Sequence, residues 1–283
     1  MTETFIHTAK LGLIGDNITR SKSPKLHRTA GQLAGIDVTY DRLIPKDLSL
    51  TFEETFEQAR SSGFRGINVT YPYKEVAAKM VHIPDPKVAA IGAVNTVVFE
   101  KDGPRGFNTD YSGFKRAYRN VMGNTKPGTV CLIGTGGVGK AVAFGLLDLG
   151  ADVIRCVDLD TAKAEGLAAA LRAVAGTTQI ETANDATVAA KGAQGIVNCT
   201  PLGMVGIGGT PLPREAMDGA TWAFDAVYTP VDTEFLTDAG NAGLRIISGY
   251  ELFFGQGIDA WGIFTGAQVD HTALRQAISE EPS

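Results

Sequence analysis

Gly134-Thr135-Gly136-Gly137-Val138-Gly139-Lys140 lies between an apolar run, Thr129-Val130-Cys131-Leu132-Ile133, and an amphipathic one. In the second run Val138, Ala141, Val142, Leu146 and Leu149 recur at helical spacing, and Gly150 stands where a helix would end in a left-handed residue. A strand, a glycine turn and a helix in that order make an anion site. The first glycine permits a tight turn, the second lets the backbone approach a pyrophosphate, and the third lets helix and strand pack closely.

Two patterns fit this stretch. Gly134, Gly136 and Gly139 match GxGxxG, the dinucleotide pattern, while Gly134, Gly139 and Lys140 match GxxxxGK, the start of a P-loop. A P-loop needs Ser or Thr next, because that hydroxyl holds the magnesium ion; Ala141 stands there, so the nucleoside-triphosphate reading fails on chemistry. The dinucleotide reading asks instead for an acid about 20 residues on, at the end of a second strand. Asp152-Val153-Ile154-Arg155-Cys156-Val157-Asp158 supplies it. The expected cofactor contacts are therefore Gly134, Gly136, Gly137, Val138, Gly139 and Asp158.

The chain has 283 residues, enough for one large domain or two ordinary ones. Hydrophobic residues make up 44% and charged ones 20%, the balance of a globular protein. The net charge of -5 and the absence of a long Lys/Arg run argue against nucleic acid or an anionic membrane as partner. No apolar run approaches membrane-spanning length and Met1-Thr2-Glu3-Thr4 does not begin a signal peptide, so a cytoplasmic location is expected. Cys131, Cys156 and Cys199 sit in or at the ends of apolar runs and are expected to be buried thiols. The four histidines are scattered without ligand spacing, so no metal is expected.

Strand-like and helix-like segments alternate from the start. Strands are expected at residues 10–15, 38–43, 66–69 and 93–99, with Ser23 capping a helix begun by Pro24 and a further short helix begun near Pro72. The turn Asn124-Thr125-Lys126-Pro127-Gly128 marks a border. Beyond it the pattern continues with a helix over 161–175 and strands near 179–181, 195–199, 223–227 and 244–247, which is a doubly wound sheet. Two helices follow from Tyr250.

Three stretches could carry chemistry. In Asn68-Val69-Thr70-Tyr71-Pro72-Tyr73-Lys74 a strand runs into a helix, with Lys74 in its first turn. A cation there sits against the positive end of the helix, a placement that suits a lysine engaged in proton transfer; a solvated surface lysine is the plain alternative. Asp110, in Asn108-Thr109-Asp110, would cap its helix unless it faced Lys74, when the two could share a proton. Ser21 and Ser23 lie in a strand-to-helix loop, as caps or as a carboxylate site.

These residues together resemble the shikimate dehydrogenase family, including quinate/shikimate dehydrogenases, over nearly the whole chain. The resemblance lies in Ser21-Lys22-Ser23-Pro24-Lys25-Leu26-His27, the lysine stretch, Gly92-Ala93-Val94-Asn95-Thr96, Asn108-Thr109-Asp110 and the glycine loop. It continues in Asn198-Cys199-Thr200-Pro201-Leu202-Gly203-Met204, Asp225-Ala226-Val227-Tyr228-Thr229-Pro230 and Gln256. It implies two α/β domains flanking a cleft. Residues 1–120 with 250–283 would bind substrate on a mostly parallel sheet, and 121–249 would form a Rossmann-type dinucleotide-binding domain. It implies a small-molecule substrate, a cyclic polyhydroxy carboxylic acid. Ser21 and Ser23 would hold its carboxylate, and Thr70, Lys74, Asn95, Asp110 and Gln256 its ring hydroxyls. Lys74 and Asp110 would be the catalytic pair. Tyr228 would lie at the substrate–cofactor junction, with Thr200, Ala226 and Gly249 on the cofactor side.

Two positions depart from the family pattern. Arg28 stands where many members have Asn. NADP-using members carry Asn-Arg-Thr where this chain has Asp158, Leu159 and Asp160. Asp158 can bind a ribose 2′-hydroxyl and would repel a 2′-phosphate, so the expected cofactor is NAD, with NADP disfavoured. That leans towards quinate catabolism rather than the aromatic amino-acid branch of the shikimate pathway. An aminoshikimate or related hydroxy-acid dehydrogenase, a methylenetetrahydrofolate dehydrogenase on the same architecture and a non-catalytic NAD sensor are the alternatives. Ser21, Ser23 and Gln256 argue against the folate enzyme, and the presence of Lys74 and Asp110 against the sensor. The sequence leaves the oligomeric state open; a homodimer is compatible with it.

Overall fold

A computed structural model describes residues 6–279; Met1 to Thr4, on which the signal-peptide reading rests, lie outside them. In chain order the first elements are β1 (Thr8–Ile14), α1 (Ser23–Ala34), β2 (Asp37–Leu43), α2 (Pro45–Leu48), α3 (Phe52–Ser61), β3 (Gly66–Val69), α4 (Lys74–Ala78), α5 (Pro86–Ile91), β4 (Thr96–Glu100), β5 (Gly103–Phe107) and α6 (Thr109–Met122). Then come β6 (Thr129–Ile133), α7 (Gly137–Asp148), β7 (Val153–Val157), α8 (Thr161–Arg172), β8 (Gln179–Ala183), α9 (Ala186–Ala190), β9 (Gly195–Asn198), β10 (Trp222–Asp225), α10 (Glu234–Asn241), β11 (Arg245–Ile247), α11 (Gly249–Thr265) and α12 (His271–Ser279). The chain forms two compact units, one holding the chain up to Thr109 and again from Gln256, the other Asp110–Gly255.

The first unit is built on a sheet of order β2-β1-β3-β4-β5. β1 runs parallel to β2 and β3, while β4 is antiparallel to both β3 and β5. Ile14, Phe56, Ile67 and Val97 are fully buried in its core. Several local expectations change. Ser23 is the first helical residue rather than the cap, and the Ser21 hydroxyl accepts its N–H at 3.3 Å. Pro72 follows a cis peptide bond and lies in the turn before α4, which begins at Lys74 and spans only five residues, so its dipole is that of little more than one turn. β4 begins at Thr96, leaving Ala93, Val94 and Asn95 in the preceding connection. β5 was not expected at all: Gly103-Pro104-Arg105-Gly106-Phe107 is poor in strand formers, and its proline is tolerated because the strand is at the sheet edge.

The second unit carries an all-parallel sheet of order β11-β10-β9-β6-β7-β8. This is the doubly wound arrangement, in which the order of winding reverses between β6 and β9 and loops at the carboxyl ends of those two strands diverge to leave a crevice. The central strands β9 and β10 are buried along their whole length and β6 beyond its first residue, as a parallel sheet covered on both faces requires, while the edge strand β8 (Gln179–Ala183) has no buried residue. On one face Ile133, Ile196, Leu212, Met217, Ala223 and Phe235 form the core. On the other, Phe114 of α6 meets Phe224 edge-on at 5.0 Å and Tyr118 meets Trp222 at 5.1 Å. Gly150 closes α7 in a left-handed conformation at φ +77°, as its place in the sequence predicts. Helix α8 stops at Arg172, short of residue 175.

Candidate active site

In the first unit the serine loop precedes α1. The Ser21 and Ser23 hydroxyls lie 3.2 Å apart, and both residues are half-buried. Arg42, at the end of β2, donates to the Ser21 carbonyl at 2.9 Å, and Arg28 donates to the Tyr40 carbonyl at 2.8 Å. Arg28 thus ties α1 to β2. Thr70 follows β3 directly; its N–H bonds the Ile14 carbonyl at 2.9 Å, and its carbonyl takes the Tyr73 N–H. The Tyr73 hydroxyl donates to Asp16 at 3.0 Å. Burial first, then that bond and the Asp16 charge, hold its pKa above the ordinary value. This turn delivers Lys74, which is only 9% exposed, an unusual setting for a lysine.

From Lys74 a run of short bonds leads to Asp110. The Lys74 carbonyl accepts the Val94 N–H at 2.9 Å. Next along the chain, the Asn95 side-chain oxygen accepts the Thr109 N–H at 2.7 Å, while its Nδ2 donates to Thr109 Oγ1 at 3.0 Å. Thr109 opens α6, and Asp110, buried, is in its first turn. The Thr109 hydroxyl also lies 3.5 Å from Gln256 Oε1 and 3.3 Å from Thr96 Oγ1. The structure therefore brings Asn95 and Gln256 together through Thr109. With its oxygen so occupied, Asn95 keeps one Nδ2 proton for any other partner.

In the second unit the glycine loop behaves as its spacing requires. Gly134 is left-handed at φ +94°, and a Cβ there would stand 2.7 Å from the Cys199 carbonyl carbon, across the gap between the β6 and β9 loops. At Gly139 a Cβ would fall 2.0 Å from the Gly134 oxygen, so helix and loop pack without a side chain between them. At Gly136, the cap of α7, a Cβ would meet nothing within 4 Å. That open space, with Gly137 and Val138 beginning the helix behind it, fits a pyrophosphate approaching the backbone. Asp158 follows β7. Its Oδ2 accepts the Thr135 N–H and hydroxyl, both at 2.7 Å, and its Oδ1 the Asp160 N–H at 3.0 Å. Burial alone would raise its pKa, but the hydrogen bonds from Asp160 and Thr135 and the charge of Lys163 bring it below the ordinary value. A carboxylate offers about four acceptor positions, so one stays available for a ribose hydroxyl. Leu159 is fully exposed, and Asp160 caps α8.

Thr200, Ala226 and Tyr228 lie on the loops beyond β9 and β10, and Gly249 opens α11 just beyond β11. Both the N–H and the hydroxyl of Thr200 donate to Asn198 Oδ1, at 2.9 and 2.7 Å. A Cβ on Gly249 would stand 2.8 Å from the Ala226 oxygen, so these two expected contacts do share one place. Tyr228 stacks on Phe253 at 5.0 Å.

Thr109, Asn198 and Asp225 stand in the quoted stretches, yet the sequence reading gave them no role. For the latter two the signal is a polar residue closing an apolar parallel strand, at the sheet edge where ligands bind. Cys131 and Cys156 are buried, with thiol pKa values pushed up to about 12, mainly by burial; Cys199, expected to be buried, is only half so, because it lies in the loop beyond β9. Among the described residues, no His/Cys/Asp/Glu group could hold a metal, and no helix is long and apolar enough to cross a membrane.

The profile of the shikimate dehydrogenase substrate binding domain matches residues 13–97. A quinate/shikimate dehydrogenase (NAD(+)) of Corynebacterium efficiens is 35% identical over 271 residues, 94% of this chain and 95% of that protein. A shikimate dehydrogenase (NADP(+)) of Pseudarthrobacter chlorophenolicus is 34% identical over 284 residues, 99% of this chain and 96% of that one. Among solved structures, quinate dehydrogenase from Corynebacterium glutamicum in complex with NAD superposes with a TM-score of 0.87 at 31% identity, covering 97% of this chain and 99% of that one.

Proposed function

Since the chain belongs to the shikimate dehydrogenase family, we propose that it interconverts shikimate, quinate or both with the corresponding 3-dehydro ketone, using NAD. Residues 1–120 and 250–283 serve as the substrate-binding part and 121–249 as the dinucleotide-binding part. Ser21 and Ser23 hold the carboxylate, and Thr70, Asn95, Tyr228 and Gln256 orient the ring. During oxidation the proton on the reacting oxygen passes to the Lys74–Asp110 pair, and in reduction it returns from there. Bound NAD supplies the acceptor for the hydride.

The observation that carries this reading is Lys74: an enclosed lysine, fixed by its carbonyl to the connection whose next residue, Asn95, anchors the helix bearing Asp110. The NAD assignment is supported by Asp158 and the uncharged Leu159. Steady-state oxidation of shikimate and of quinate, each with NAD and with NADP, tests it. At least one of the two acids is expected to turn over, with kcat/KM for NAD about tenfold or more above that for NADP. Equal values with both cofactors would overturn the NAD assignment, and turnover of neither acid the substrate assignment.

Thr109→Val should expose how the ring-binding residues are held. Valine keeps the volume but removes the hydroxyl, leaving buried polar atoms of Asn95 and Thr96 short of a partner, at a cost of about 1–3 kcal/mol. KM for the acid is expected to rise about tenfold, while KM for NAD stays put; Thr109→Ser should restore it. An unchanged substrate KM in Thr109→Val would show that Thr109 does not position this site.

A further inference from the structure

Two wholly enclosed polar side chains take no part in the chemistry above: Asn198, the last residue of β9, and Asp225, the last of β10, each with no exposed surface. Asn198 Nδ2 donates to Asp225 Oδ1 at 2.9 Å and to the Leu202 carbonyl at 3.2 Å, while its Oδ1 receives both donors of Thr200. Asp225 Oδ1 also accepts the Val227 N–H at 2.9 Å, and Oδ2 the Thr233 hydroxyl at 2.6 Å. The Asn198 carbonyl accepts the Ala226 N–H at 2.8 Å. Two side chains thus join the loop through Thr200 and Leu202, the turn through Ala226 and Val227 into Tyr228, and the head of α10.

Holding a carboxylate in such a place is unfavourable. Burial pushes the Asp225 pKa up to about 6, against the pull of its bonds from Thr233, Val227 and Asn198. A well-packed apolar pair could fill the same space without that penalty. What the charge gives in return is strength: hydrogen bonds to an ionised acceptor are about twice as strong as neutral ones.

We infer that Asn198 and Asp225 are positioning residues for the cofactor, Asp225 in its ionised form fixing the Val227 turn and the Asn198 amide, and Asn198 fixing Thr200. Both act through the loops they hold, and the inference rests on the reading of NAD as cofactor. The groups facing the Asp225 carboxylate are the Thr233 hydroxyl at the head of α10, the Val227 N–H and the Asn198 amide of β9; none is charged. Protonation of Asp225 on the acid side of neutrality should therefore loosen the loops. His27 takes no part, because complete burial lowers its pKa to about 3 and keeps it neutral there.

Calorimetric titration of the full-length protein with NAD between pH 8 and 5.5 tests this without any turnover. Asp225→Asn keeps the shape and removes the charge. At pH 8 its Kd is expected to be about fivefold to tenfold weaker than wild type, and flat with pH. Wild-type affinity should fall towards the variant's value as pH drops. Thr233→Val removes one bond that favours the ionised form and should move the wild-type midpoint to higher pH, with Thr233→Ser returning it; this second arm holds if Asp225→Asn fails to fold. Wild type binding NAD with no pH dependence in this range, or Asp225→Asn matching its affinity and profile, overturns the inference alone. Wild type binding neither NAD nor NADP overturns the cofactor reading, and the inference with it.

Discussion

Replacing Lys74 by alanine is expected to lower kcat for oxidation of shikimate or quinate by about 10²–10⁴-fold, the usual worth of positioned acid–base catalysis, while the Kd for NAD stays unchanged. The backbone should tolerate the change. The bond that fixes this turn to the Asn95 connection runs from the Val94 N–H to the Lys74 carbonyl, and alanine retains it. Alanine is also the best helix former at the head of α4. What is removed is the side chain of a residue only 9% exposed, three residues before the buried Ala77. Lys74→Arg should be nearly as impaired, since guanidinium keeps its proton at every accessible pH. Single-turnover rates and calorimetric NAD binding on the same preparations separate chemistry from cofactor affinity. A kcat within tenfold of wild type in the alanine variant would remove Lys74 from the acid–base step.

The double change Asp158→Ser with Leu159→Arg is expected to move the NAD/NADP ratio of kcat/KM about a hundredfold towards NADP. Asp158 is ionised at neutral pH, its carboxylate stabilised by Asp160, Thr135 and Lys163 against the opposing effect of burial. Like charges 4 Å apart at an effective dielectric of 20 repel by about 4 kcal/mol before screening. A third of that is about tenfold in affinity, and an arginine facing the 2′-phosphate adds a comparable factor. Leu159 points wholly into solvent, so the arginine displaces nothing. The serine leaves the Thr135 N–H and hydroxyl short of the oxygen they share, so a modest fall in Tm should accompany the switch. Steady-state kinetics with both cofactors measure the ratio; an unmoved ratio would mean that discrimination lies elsewhere.

Features written in local chemistry were legible in the sequence. The glycine loop could be read residue by residue because a left-handed turn at Gly134 and a close approach at Gly139 each exclude other side chains. The end of α7 at Gly150 was readable for the same reason. What escaped depends on distant partners. Thr109 looks like any hydroxyl at a helix start until Asn95, 14 residues away, and Gln256, 147 residues away, come to it. Asn198 and Asp225 meet only because β9 and β10 are neighbours in register. β5 has only Phe107 as a strand-forming residue and is held in place by its pairing with β4. Pro72 misled in the opposite way: proline is as much at home in a turn as at a helix start, and only the fold separates the two.

The unit that contains β1 is discontinuous in the chain, and this bears on how the protein is made. The unit of Asp110–Gly255 is contiguous and has all its strands once that segment has left the ribosome. The other begins first and is completed last. Its helix α1 is covered by residues synthesised after the intervening segment: Trp261 and Phe264 lie against His27, Gly257 against Leu26, and the Ile278 carbonyl takes the Lys25 ammonium. Throughout translation of the intervening segment, the apolar face of α1 around Leu26 stays open to water, the condition under which nascent chains associate wrongly. The unit begun first thus waits for α11 and α12, made after the whole contiguous unit, before the apolar face of α1 can be covered.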